Sequence, residues 1–246
     1  MRRPLAALLS CAAAGLLAAC TALPSAAPVA GPRLSPETRA MYDAVEDNGR
    51  IVPAIEAEYL SEDKKRQEVT YLAPYSPGTI VVDPGAKRLY RLLGNDRAMR
   101  YTVAVGAAGY GFSGQATVAY TRAWPNWTPT QNMLRREPEK YERYAAGVEG
   151  GLDNPLGARA LYLYRNGRDT YYRIHGTPSP WTIGHDASSG CIRMFNQDAI
   201  HLAANVDKGA RVIVLPREDR GKWTASDAGD AVAASADAGA DATDPA

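Results

Sequence analysis

From Pro77 to Pro216 the chain consists of short segments in which apolar and polar side chains alternate, separated by glycine, proline or asparagine. The clearest of these segments are 79–83, 88–92, 99–105, 115–123, 160–164, 169–174 and 210–215. A period of two is typical of β-strands with one buried face, and Asn166-Gly167 is a strong hairpin-turn signal. The sequence therefore predicts a mainly β fold, a sandwich or barrel-like mixed sheet that is largely antiparallel.

Helical patterns within this part of the chain are few and short. Residues 196–206 place apolar side chains on one face, and Asn196 is suited to cap the helix N-terminus. A polar stretch at 132–144 has helical composition and is interrupted at Pro138. We therefore expect one or two short helices beside the sheet.

The pattern is mixed in an N-terminal extension at 34–76, before the domain that we place at 77–216. Ser35-Pro36 predicts the start of a short helix, which Asn48-Gly49 would end. No residue of the extension suggests chemistry. We therefore expect it to be a spacer or a strap on the main domain.

The first residues of the chain resemble an export signal. Arg2 and Arg3 precede an apolar stretch at 5–17, which is too short to span a membrane. No second hydrophobic run of spanning length follows it. An exported, periplasmic protein is therefore expected.

Small residues directly before Cys20 resemble the lipobox of bacterial lipoproteins. In that interpretation 1–19 is the signal peptide, Cys20 is the lipid anchor and 20–33 is an Ala/Pro-rich tether. The alternative is an ordinary secretory signal cut near Ser25. Acyl chains would be the membrane attachment, and Thr21 after the cysteine favours the outer membrane.

Composition indicates a different character for the C-terminal residues 217–246. Thr224–Ala246 contains ten alanines and five aspartates, and we expect a disordered Ala/Asp-rich tail. The whole chain has 28 basic and 27 acidic side chains; without the tail acids and the two signal arginines, 20–223 carries a net charge of +4. Such a balance does not indicate a nucleic-acid partner.

The residues with most chemical potential are His175 and Cys191, sixteen positions apart. A thiol becomes a competent nucleophile when an imidazole accepts its proton, and a loop of this length can bring the two together. Ser189-Gly190 before the cysteine lets backbone N–H groups approach an acyl oxygen and form an oxyanion hole.

These motifs resemble one bacterial family, the YkuD-type L,D-transpeptidases of the ErfK, YbiS, YcfS and YnhG kind. The resemblance rests on three matches: His175-Gly176-Thr177, Ser188-Ser189-Gly190-Cys191 and Arg193. It covers about 77–216 and includes Asn154-Pro155-Leu156-Gly157. Many members have histidine where this chain has Ser189, whose hydroxyl can still donate a hydrogen bond.

The resemblance implies an enzyme that acts on peptidoglycan tetrapeptide stems, both donor and acceptor, without a cofactor or metal. Cys191 would be the nucleophile and His175 the general base and acid, oriented by the Gly176 carbonyl. Arg193 would bind a substrate carboxylate or brace the cysteine loop. Ser188 is included among the supporting residues, and Trp181, Thr177 and Trp127 would line the substrate groove.

Three functions follow from these expectations. The first is a transpeptidase that forms 3–3 crosslinks or attaches an outer-membrane lipoprotein or other protein to the wall, and that carbapenems inhibit. The second is a carboxypeptidase or hydrolase that uses the same pair, and the third is a non-catalytic wall-binding lipoprotein.

Each residue also has an ordinary structural interpretation. An isolated cysteine is often an inert core thiol, His185 is expected in an exposed loop, and His201 on the surface or in packing. A zinc site built from the histidines and Cys191 has ligand spacings that match no common pattern.

Overall fold

The computed structural model describes residues 34–107 and 111–225. The helices are α1 (Pro36–Met41), α2 (Gln131–Arg136), α3 (Pro138–Tyr141) and α4 (Asn196–Ala204). The strands are β1 (Val45–Asp47), β2 (Arg50–Val52), β3 (Gln67–Thr70), β4 (Ile80–Asp83), β5 (Arg88–Gly94), β6 (Arg97–Thr102), β7 (Val105–Gly106), β8 (Gly114–Ala123), β9 (Arg159–Arg165), β10 (Arg168–His175), β11 (Asp186–Ser188), β12 (Ile192–Arg193) and β13 (Arg211–Val214). Among the helices in these ranges, none has the length and hydropathy needed to cross a membrane.

Nine of these strands form one mixed sheet in the order β12-β10-β9-β8-β13-β4-β5-β6-β3. Neighbours are antiparallel except for the parallel pairs β10–β12 and β4–β13. The main core lies on one face, where Leu161, Ile174 and Leu202 of α4 are fully buried. A second cluster around Tyr71 and Val81 covers the opposite face of β4, β5 and β13. The predicted mainly β fold with a mixed sheet and few short helices is confirmed.

The segment 99–105, predicted as one strand, divides into two. Strand β6 ends at Thr102, Ala104 forms an isolated bridge with Arg193, and β7 then pairs with β11 in a separate two-stranded sheet. Val103, Ala104 and Val105 are all buried, so the alternation that would reveal a change of sheet is missing.

The predicted end of the first helix is wrong. Helix α1 begins as expected at Pro36, with the Ser35 hydroxyl accepting the Thr38 N–H, but it ends at Met41. Asn48-Gly49, with positive φ at both residues, forms instead the turn of the β1–β2 hairpin.

At α4 the predicted cap is also wrong. Phe195 precedes the helix, and Asn196 is its first helical residue, with its side chain engaged elsewhere. The interruption at Pro138 is confirmed, because it separates α2 from α3.

The residues of the extension 34–76 pack closely on the rest of the domain. Strand β3 forms the edge of the large sheet, and Leu34, Tyr42 and Leu60 join a core cluster with Phe195. Asp47 forms a two-pronged ion pair with Arg159, both contacts at 2.6 Å. The extension therefore acts as a strap rather than as a spacer.

Residues 217–225 of the expected tail are ordered against the domain, which corrects the boundary placed after Pro216. Arg217 pairs with Asp186 at 2.9 Å, and the Trp223 ring meets Tyr71 and Tyr75 edge-on. The alanine-rich composition itself begins only at Thr224. The signal peptide, Cys20, the tether and the remainder of the tail lie outside the described residues.

A buried carboxyl joins the strap to α4. Asp198 is fully buried and accepts hydrogen bonds from Arg66 Nη1 at 3.0 Å and from the Tyr42 hydroxyl at 3.1 Å. Burial raises the pKa of Asp198 to about 6, although the Arg66 charge and both hydrogen bonds act in the opposite direction.

We expect Asp198 to make the folded state less stable as pH rises. Because its folded pKa lies above its unfolded value, the folded state binds the proton more tightly, and stability falls between about pH 4 and pH 6. The free energy of unfolding of wild type, relative to that of Asp198→Asn, should therefore fall by about 1–2 kcal/mol from about pH 4.5 to 7.5, measured by urea unfolding. A rise in this relative free energy with pH would show that the ion pair with Arg66 dominates.

Candidate active site

The parallel pairing of β10 with β12 sets on which face of the sheet the predicted catalytic residues lie. Ile174 lies opposite Ile192 and His175 opposite Arg193, and both isoleucines point into the main core. Side chains alternate along a strand, so His175 and the residue before β12, Cys191, share the outer face on neighbouring strands.

His175 is held in one orientation by its own neighbour. The residue is buried, and the imidazole Nδ1 donates to the Gly176 carbonyl oxygen at 2.6 Å, which is the contact expected from the sequence. This hydrogen bond fixes the proton on Nδ1 and leaves Nε2 unprotonated. Burial, with the nearby Arg193 charge, lowers the pKa of His175 to about 3. The imidazole is therefore a neutral base at neutral pH.

Asn196 fixes the backbone around the histidine. Its side chain accepts the Ala158 N–H at 2.9 Å and donates to the Thr177 carbonyl at 3.1 Å. A Cβ atom on Gly157 or Gly176 would overlap the Asn196 amide oxygen. Glycine follows the histidine because no side chain fits beneath this clamp.

A bulge in β10 surrounds the thiol with backbone groups. The register shifts between Asp169 and Arg173, and Tyr171 there has a positive φ of 61°. The Cys191 thiol donates to the Tyr171 carbonyl oxygen at 3.9 Å, and the nearby Arg173 backbone N–H lowers the pKa of the thiol. The bulge thus places one acceptor and one donor at the nucleophile.

Neighbouring charges and burial have opposite effects on the pKa of Cys191, a residue that is partly exposed. Burial raises the pKa of the Cys191 thiol, while the Arg173 N–H and the charges of Arg173 and Arg193 favour the thiolate. Arg173 is locked by two 2.7 Å contacts to Asp169. Arg193 has no acidic or hydrogen-bonding side-chain partner within the described ranges, and burial lowers its pKa.

Ser188 shapes the turn that carries the nucleophile. Its hydroxyl donates to the Cys191 carbonyl at 2.5 Å and accepts the Gly190 N–H at 3.2 Å. The Gly190 amide, expected to point into an oxyanion hole, is therefore engaged inside the turn. Ser189 instead meets the Tyr141 hydroxyl at 2.6 Å.

The expected groove residues lie at unequal distances from the site. Thr177 is buried, and its hydroxyl accepts the Ser179 N–H at 3.1 Å. Trp181 is 56% exposed and contacts Tyr59 of the strap. Trp127 packs against Tyr141, and the Tyr141 hydroxyl is hydrogen-bonded to Ser189.

The remaining histidines lie apart from this pair. His185 is exposed, as predicted, and His201 Nδ1 lies 2.8 Å from the Tyr101 hydroxyl. Among residues 34–107 and 111–225, no three His, Cys, Asp or Glu side chains cluster closely enough to hold a metal ion.

Several residues of the site escaped prediction. Tyr141 lay in a polar stretch without a motif, and the Asp169–Arg173 pair depends on a bulge that alternation does not reveal. The only available signal was the i,i+4 spacing of the two charges, which in a strand places both on one face.

Known proteins show what the chain is similar to. It is 35% identical over 139 residues to the Escherichia coli (strain K12) probable L,D-transpeptidase ErfK/SrfK, covering 55% of this chain and 43% of that protein. It is 39% identical over 99 residues to the E. coli (strain K12) probable L,D-transpeptidase YcfS, covering 40% and 30%. The chain thus spans less than half the length of these two relatives.

A solved structure from Brucella melitensis, described as a probable carnitine operon oxidoreductase, is 48% identical and covers 61% of this chain and 93% of that one, with a TM-score of 0.43. A TM-score this low does not by itself establish a shared fold, and that description concerns the Brucella protein alone. Residues 77–214, more than half of the sequence, match the YkuD family, described as the L,D-transpeptidase catalytic domain. Because this match covers more than half of the sequence, the chain belongs to the YkuD family of L,D-transpeptidase catalytic domains.

Proposed function

We propose that this protein is a cysteine-dependent L,D-transpeptidase that acts on peptidoglycan stem peptides. The observation that supports the proposal is the β10–β12 register, in which Ile174 lies opposite Ile192 and His175 opposite Arg193. By strand alternation, Cys191 then shares one outer face with His175, whose imidazole is neutral. A neutral imidazole beside a thiol is suited to take the proton as the sulfur attacks an acyl carbon.

In the acylation step, His175 Nε2 takes the thiol proton and Cys191 Sγ attacks the carbonyl at the L-centre of the third stem residue. The C–N bond to the terminal D-alanine then breaks, and the imidazolium returns its proton to the leaving amine. The products are a thioester and free D-alanine.

The developing oxyanion needs hydrogen-bond donors. The Cys191 N–H has no other backbone or side-chain partner among the described hydrogen bonds, and the Ser189 hydroxyl adds a second donor when Tyr141 occupies its acceptor position. Each such donor is typically worth about 10²–10³ in rate. Because the Arg193 side chain makes no bracing contact in the described part of the chain, we assign it to a substrate carboxylate.

The thioester is resolved by an amine. The side-chain amine of diaminopimelate on a second stem attacks the thioester carbon, His175 removes its extra proton, and the thiol is regenerated. The product is a 3–3 crosslink. Attack by water would make the same acyl-enzyme a carboxypeptidase, and attack by a protein amine would attach that protein to the wall.

We further propose export to the periplasm and lipid attachment at Cys20. This proposal rests on the signal-like N-terminus and the small residues before the cysteine.

A carbapenem should acylate the protein once, at Cys191, because the thiolate opens the strained lactam as it would a peptide carbonyl. Intact-mass spectrometry should show one adduct on wild type and none on Cys191→Ala. Cys191→Ser should fold normally and lose turnover, since a serine hydroxyl is a poorer nucleophile beside a weak base. An adduct of equal yield on Cys191→Ala would contradict the assignment.

The rate of acylation should show no acid limb near the ordinary histidine pKa. The lowered pKa of about 3 keeps His175 unprotonated, and so competent as a base, at every pH well above that value. Single-turnover acylation rates should therefore rise with pH as the thiol ionises and lose nothing to imidazole protonation between about pH 7 and 5. A fall in the acylation rate centred near pH 6.5, the ordinary histidine pKa, would contradict the lowered pKa and show that the imidazole is solvated.

The product distribution identifies the reaction. Incubation of purified sacculi with wild type, and with Cys191→Ala as the control, should increase 3–3 dimers in a muropeptide profile. Loss of tetrapeptides without new dimers would favour the carboxypeptidase, and loss of existing crosslinks would favour a hydrolase.

A further inference from the structure

A line of aromatic and basic side chains crosses the outer face of the sheet and ends at the nucleophile. Tyr120 of β8 lies opposite Tyr162 of β9, and Tyr162 lies opposite Arg173 of β10. The β10–β12 register continues the same line to Cys191. We call the surface formed by Tyr120, Arg122, Tyr162, Tyr164 and Arg173 the tyrosine–arginine face.

The side chains of this face support one another. The Tyr120 and Tyr162 rings stack with centroids 4.4 Å apart, and the Tyr164 ring meets Tyr120 edge-on at 6.1 Å. The Arg173 guanidinium lies 4.2 Å from the Tyr162 ring centre while its nitrogens hold Asp169. The face is therefore a preorganised surface rather than a set of mobile side chains.

No core cluster of the described residues covers this part of the outer face. The opposite face of the same strands fills the main core, and the second cluster lies over β3, β4, β5, β6 and β13. Tyr120, Tyr162 and Tyr164 are partly exposed, and Arg122 is exposed.

Arg122 is the arginine of this face that has no ion-pair partner within the described ranges. It lies 5.4 Å from the Tyr120 ring centre. Its register partner Ala160 pairs in turn with His175, which pairs with Arg193. Two arginines without carboxylates thus flank the histidine along one line across the sheet.

The spacing suits an extended acidic peptide. Three strand steps separate Arg122 from Arg193, about 14 Å at 4.8 Å each. An extended peptide advances about 7 Å over two residues, and the arginine side chains span the rest. A tetrapeptide stem bears a free α-carboxylate on the γ-linked glutamate before the attacked residue and another on the terminal D-alanine after it, one for each of the two arginines.

We propose that the tyrosine–arginine face binds the acyl-donor stem upstream of the attacked carbonyl, with Arg122 binding the carboxylate of the γ-linked glutamate. This inference rests on the proposed function and adds a specificity-determining residue on β8. The apolar parts of the stem lie along the tyrosine rings, and continuity with Cys191 directs the third residue to the thiol.

The test uses the full chain and two synthetic donors, L-Ala-γ-D-Glu-diaminopimelate-D-Ala and its analogue with the glutamate α-carboxylate amidated. Wild type should show a KM about tenfold or more lower for the acidic donor, as expected for one charged hydrogen-bonded pair. Arg122→Gln should remove this preference with little change in kcat, and Arg122→Lys should restore part of it.

The control is Arg168→Gln, the same charge change at an exposed arginine at the far end of β10. It should keep the wild-type preference, and carbapenem acylation of Cys191 should be equal in all four proteins. Arg122→Gln that still prefers the acidic donor, or a wild type with no preference, would overturn the inference. Release of D-alanine from neither donor by wild type would overturn the proposed function itself.

Discussion

The parallel pairing of a two-residue strand with the end of β10 is the constraint on which the site depends. Ile174 and Ile192 are buried in the main core, and their burial fixes the register of β10 against β12. Burying each such side chain contributes about 1.5–3 kcal/mol, and a slip of one residue would forfeit both while turning Cys191 into the core. Hydrophobic packing on one face of the sheet therefore sets the chemistry on the other.

Beside that register, the environment favours the neutral forms of His175 and Cys191. Burial disfavours both the imidazolium and the thiolate, while Arg173, Arg193 and the Arg173 N–H favour negative charge on the sulfur. In the proposed mechanism, a neutral base and a protonated thiol carry no net charge before substrate binds. Charge would then develop during attack, where preorganised donors are worth most.

Helix α4 and the strap stabilise the frame behind the site. Asn196 holds the backbone on both sides of the histidine strand, and Gln197 donates to the carbonyl of Pro53 in the strap at 2.9 Å. Asp198 binds Arg66 and Tyr42 from the same segment. Three consecutive polar residues at the start of α4 thus connect the extension to the active-site backbone, which explains why a segment without catalytic residues packs so closely.

The sequence by itself determined most strands, the motifs that contain His175 and Cys191, and the glycine after the histidine, because alternation and short motifs are local properties of a chain. Only the tertiary structure decided that 99–105 changes sheet, that Asn196 clamps two loops instead of capping a helix, and that Gly190 donates within its own turn. Tyr141 and Arg122 gain their significance from residues more than 35 positions away. Long-range strand register and burial bring such side chains together, and the spacing of residues along the chain predicts neither of them.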